Sequence, residues 1–65
     1  MNQVNQLSQR DMFLIGHIMV DAYCQGITSL YIYPEHCDNT RVVIECLEDY
    51  GWKVEFRTDC YKVYR

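Results

Sequence analysis

The sequence has a single proline, three isolated glycines and no apolar run near the roughly 18 residues that a membrane-spanning helix requires. Gly16, Gly26 and Gly51 stand alone, so no glycine-rich loop is available to cradle phosphates. Cys24, Cys37, Cys46 and Cys60 form no C-x-x-C pair, which removes the spacing of zinc knuckles and thioredoxin-type redox motifs. Met1-Asn2-Gln3-Val4-Asn5-Gln6 lacks the basic and apolar stretches of an export signal, so reduced thiols and a cytoplasmic location are expected. Positive charge is scarce: six Lys and Arg stand against nine Asp and Glu, a net charge of −3.

What is present predicts one small α+β domain over residues 1–65, with 1–7 flexible. A chain this short buries only about 60% of its unfolded surface, so its core is thin. Ser8-Gln9-Arg10-Asp11 has the form of a helix start, with Ser8 as cap and Asp11 at the positive end of the dipole. Met12, Ile15, Ile18, Met19, Ala22 and Tyr23 follow on one stripe, and Gly26 closes the helix. The run 27–33 alternates like a strand up to Pro34, with Leu30 and Ile32 on one side. Asp38 or Asn39 caps a second helix whose inner stripe is Val43, Cys46, Leu47 and Tyr50, closed by Gly51.

Residues 52–57 alternate again with Trp52, Val54 and Phe56 inward, and 61–65 return after a short turn as an antiparallel partner. The order is therefore α-β-α-β-β. The expected architecture is a three-stranded mixed sheet with both helices on one face and the first two strands parallel, the place of the third being open between centre and edge.

That arrangement exposes Tyr31, Tyr33, Lys53, Glu55, Arg57, Lys62 and Tyr64 on the opposite face. Tyrosine joins a broad apolar body to a polar tip and suits contact surfaces, although it also simply favours strands. Within 52–65, Lys53, Arg57, Lys62 and Arg65 outnumber Glu55 and Asp59 by two, while 1–51 carry a net −5. The basic pole would meet an acidic partner. On the first helix, Phe13, Gly16, His17 and Val20 lie beyond the core stripe, and an apolar arc that wide predicts a homo-oligomer, a dimer above all.

Catalytic groupings are weak. Pro34-Glu35-His36-Cys37 gathers acid, base and nucleophile types, but neighbouring residues point apart, so no enzyme is expected. His36, Cys37, Cys24 and Cys60 would hold a metal only if their loops met at one end, so neither metal nor cofactor is expected.

Ala22-Tyr23-Cys24-Gln25-Gly26, the strand Leu30–Tyr33, Leu47-Glu48-Asp49-Tyr50-Gly51-Trp52-Lys53-Val54 and Tyr61-Lys62-Val63-Tyr64 together give residues 12–64 a likeness. The chain resembles small helix-strand-helix-strand-strand proteins encoded by tailed bacteriophages. Trp52 departs from that pattern, where tyrosine is commoner. The resemblance carries no catalytic residues; it implies a host-cytoplasmic modulator or inhibitor of a host protein.

The expected function is thus a non-enzymatic interaction protein that binds a protein partner, with no membrane involved. Two alternatives use the same surfaces. Single-stranded nucleic acid would stack on Tyr31, Tyr33 and Tyr64 beside Lys53, Arg57 and Lys62, against the acidic net charge. A small nucleotide-like ligand would instead sit at the oligomer interface.

Overall fold

The computed structural model describes residues 7–65, in the order α1 (Gln9–Gln25), β1 (Ser29–Ile32), a 3-10 turn (Pro34–His36), α2 (Thr40–Asp49), β2 (Lys53–Phe56) and β3 (Tyr61–Tyr64). It is a small α+β fold with two helices and a three-stranded antiparallel sheet. Of the stretch 1–7 expected to be flexible, 1–6 lie outside the described residues, and Leu7 is half-buried against the core.

The helix ends follow their local chemistry. The Ser8 hydroxyl accepts from the backbone N–H of Asp11 at 3.1 Å, and Gly26 ends α1 at φ 73°, a left-handed conformation that costs glycine little. At α2 the cap is Asn39, whose side-chain oxygen accepts from the Val42 N–H. Pro34 does more than stop β1: it opens the 3-10 turn that carries the chain to α2.

The strand order is β1-β3-β2, and both ladders are antiparallel. This corrects the expected mixed sheet. β1 and β2 do run in the same direction, but β3 lies between them, so no parallel ladder forms. The central place gives Val63 complete burial, whereas β2, carrying Lys53 and Glu55, takes an edge where charged side chains keep their water.

Val43, Leu47 and Val63 are fully buried, and Ile15, Ile18, Ala22, Ile32, Ile44, Cys37 and Trp52 complete the cluster around them. Leu30 and Val54 pack against it. Four residues expected inside are not. Met12, Tyr23, Tyr50 and Phe56 are exposed, because a core this small closes over only the middle of each apolar stripe. Phe56 shares the inward register of Ile32 and Tyr61 but overhangs the sheet end, its ring edge-on to Tyr61 at 5.2 Å. Ile44, beside the expected α2 stripe, is buried instead.

Candidate functional site

Backbone pairing puts the tyrosines and cations into rows. Ser29, Tyr64 and Lys53 stand abreast, and two residues along each strand so do Tyr31, Lys62 and Glu55. The rows between them are Leu30-Val63-Val54 and Ile32-Tyr61-Phe56. Since side chains alternate between faces, Tyr31, Lys53, Lys62 and Tyr64 share one face, opposite Leu30 and Val63. Tyr33 and Arg57 lie just beyond the ends of β1 and β2. Tyr33 turns its ring edge toward His36 at 5.8 Å, and Arg57 pairs with Glu55 at 3.5 Å.

Glu55 pairs with Arg57 and makes no ion pair with Lys62, its neighbour across the strand pair. Lys62 instead places its ammonium 5.7 Å from the centre of the Tyr64 ring, within cation–π range. Among the described residues, neither Lys53 nor Lys62 has a carboxylate within 4.0 Å. Tyr31 is half exposed, and Lys62 and Tyr64 are half-buried.

The second surface lies on α1. Met12, Phe13, Gly16, His17 and Val20 line a shallow groove on the helix's outer side. Phe13 is 72% exposed and Val20 and Met12 each 52%, while the space above Gly16 is open. A second hollow, between α1 and α2, runs past Leu7, Met19, Cys46 and Tyr50.

One polar cluster escapes a reading by residue type. Asp11 is wholly buried, and its two carboxylate oxygens accept from the backbone N–H groups of Asp38 at 2.8 Å and Asn39 at 2.9 Å. An acid placed as a dipole partner for α1 thus holds the entry to α2. The signal was available: positions 11, 15, 18 and 22 fall on one helical stripe, and the last three are buried Ile15, Ile18 and Ala22. Around it, Arg10 bonds the Asp38 carboxylate at 2.9 Å and the Glu35 carbonyl at 2.8 Å. Hydrogen bonds from the Ser8 hydroxyl and the Arg10 guanidinium hold the Asp38 carboxyl below its ordinary pKa.

The segment Pro34-Glu35-His36-Cys37 has a structural account as well. Cys37 is buried, its thiol donating weakly to the Tyr33 carbonyl at 3.8 Å, and burial raises its pKa. An activated thiol nucleophile has the opposite shift. The four cysteines are free, Cys24 exposed and Cys37 and Cys60 buried, and among the described residues no three His, Cys, Asp or Glu side chains converge on a metal-sized site. A further stack was missed by the sequence reading: the Arg65 guanidinium lies 4.8 Å from the Tyr23 ring centre and 5.6 Å from that of Trp52. Among the described residues, no helix is long and apolar enough to cross a membrane. No family model matches the chain, and no curated protein or solved structure matches it either.

Proposed function

We propose that the chain is a non-enzymatic interaction protein, a homodimer through α1 that binds a second protein on the tyrosine-bearing face of its sheet. In this reading both helices cover the Leu30, Ile32, Val54 and Val63 face, and the face of Tyr31, Lys62 and Tyr64 is left for the partner. The observation that carries it is the exposed stripe of Phe13, Val20 and Met12 around Gly16. Fully burying a phenylalanine contributes about 1.5–3 kcal/mol, and a two-fold axis counts every contact twice. Glycine at the crossing lets the two helix backbones approach, with His17 at the rim. The resemblance to small phage proteins extends the reading to a partner of host origin that is modulated or inhibited. The net charge of −3 and Glu55 within the sheet face weigh against nucleic acid as that partner.

Sedimentation equilibrium tests the dimer. The chain should reach twice its 7.8 kDa at high micromolar concentration, and Phe13→Asp, which sets two carboxylates across the axis, should hold it at 7.8 kDa with an unchanged circular dichroism spectrum. A monomer at every concentration refutes the α1 part. Alanine at Tyr31, Tyr33 and Tyr64 together should abolish retention of a stoichiometric partner from host cells, and retention left intact refutes the sheet-face part.

A further inference from the structure

We propose that the partner engages as an added strand: an extended, acidic segment that pairs antiparallel with the free edge of β1. This deepens the sheet-face reading above and rests on it.

The two edges of the sheet differ. β2 carries Lys53 and Glu55 with Arg57 following, the charges by which edge strands resist unwanted pairing. β1 has none: from Gln25 to Tyr33 the chain bears no charged side chain, and Ser29-Leu30-Tyr31-Ile32 is a strongly strand-forming run. An edge without guards is a template for another strand.

Backbone geometry says which groups face outward. The Arg65 N–H donates to the Thr28 carbonyl at 3.1 Å, which marks Thr28 and Arg65 as a hydrogen-bonded pair. Counting along the antiparallel register, Leu30 and Ile32 also turn their backbone groups toward β3, while Ser29 and Tyr31 turn theirs to the open edge. Each therefore offers one N–H and one C=O to a newcomer. Among the described residues, neither has a backbone partner outside the sheet.

Face and charge then fix the newcomer's chemistry. In an antiparallel ladder, a residue that exchanges both hydrogen bonds with Tyr31 stands opposite it and points to the same face. There it meets the Tyr31 ring, with the Lys62 ammonium one strand further in. Glu55, on the far side of Lys62, pairs with Arg57, and among the described residues no carboxylate lies within 4.0 Å of that ammonium. Glutamate fits that position; lysine does not. Residues between such positions fall on the Leu30 side, where Leu30 is only half-buried, and suit apolar side chains.

The geometry yields a test that leaves the protein untouched. The probe is a fluorescein-labelled octapeptide alternating glutamate and valine, read by anisotropy at low salt, with three relatives: N-methylated at every glutamate, N-methylated at every valine, and lysine in place of glutamate. The parent peptide should bind with micromolar affinity. Methylating the glutamates, whose N–H groups face β1, should weaken it by more than about tenfold. Methylating the valines, whose N–H groups face solvent, should change it by less than about threefold, and the lysine peptide should bind at least about tenfold more weakly. The proposal is overturned by no binding of the parent, by equal loss from both methylations, by the reverse pattern, or by a lysine peptide that binds as well. A dimer that survives Phe13→Asp and dissociates on adding the peptide overturns it too, since β1 would then pair with a second copy. Partner retention that depends on Tyr31, Tyr33 and Tyr64 while the peptide fails to bind would end strand addition and leave the sheet-face reading standing.

Discussion

Replacing Asp11 by alanine should nearly unfold the protein. The carboxylate is fully buried and accepts two backbone N–H groups, those of Asp38 and Asn39, at 2.8 and 2.9 Å. A hydrogen bond to a charged group contributes about 1.5–3 kcal/mol, and a buried donor left without a partner costs about 1–3 kcal/mol. Two donors orphaned together, at the start of a ten-residue helix, set the loss at about 3–5 kcal/mol. A 65-residue chain has about 3–10 kcal/mol in all. Asp11→Asn keeps one accepting oxygen but turns an NH2 toward the other N–H, so it should cost about half as much. Ser8→Ala, which removes the α1 cap and the hydroxyl's bond to Asp38 but leaves the Asp11 carboxylate in place, should cost about 1 kcal/mol. Urea unfolding followed by tryptophan fluorescence measures all three, Trp52 being buried in the native core. A loss below about 1 kcal/mol for Asp11→Ala would mean that burying the charge costs nearly what its two bonds return, and would refute the reasoning.

Gly16→Ala separates monomer from dimer energetics: alanine in open space on a helix should stabilise the monomer by about 1 kcal/mol, while the added methyl at the crossing should weaken dimerisation by about tenfold. Both are read from urea midpoints and sedimentation on the same sample, and an unchanged dimer constant would move the crossing away from Gly16. The Asp38 carboxyl is lowered from 3.8 by the Ser8 and Arg10 hydrogen bonds, so the stability it supplies is complete above the unfolded value of 3.8 and disappears as pH falls through the lower folded value. The gap in urea midpoint between the natural chain and Asp38→Asn should accordingly be constant from pH 7 to about 5 and close below 3.8, and a gap independent of pH would contradict it. A thiol reagent at neutral pH should label Cys24 rapidly and reach Cys37 and Cys60 only on unfolding; native labelling of Cys37 at the rate of Cys24 would contradict its burial and raised pKa.

Local signals carried far. Ser8 and Gly26 bound α1 because a hydroxyl and a missing Cβ act on the nearest backbone groups, whatever the rest of the chain does. The rows of Tyr31 with Lys62 and of Tyr64 with Lys53 follow from alternation once the strands pair, so residues of the sheet face were readable as a set. Asp11 was misread for a physical reason: its type says helix start, its position says core, and only the approach of residues 38 and 39 reconciles the two. Phe56 and Tyr50 were misplaced because periodicity gives a direction without saying how far the cover extends in that direction.

The sequence by itself determined the element order, the caps of α1 and which strand residues share a face, all consequences of short-range backbone chemistry and of the fixed periods of helix and strand. Tertiary structure decided that β3 lies between β1 and β2, that Asp11 ties the two helices' N-terminal ends together, and that β1 is left as an uncharged edge. Four-residue strands with one apolar face fit a centre or an edge equally well. The choice falls to whichever packing gives Val63 cover on every side and leaves the charges of β2 in water.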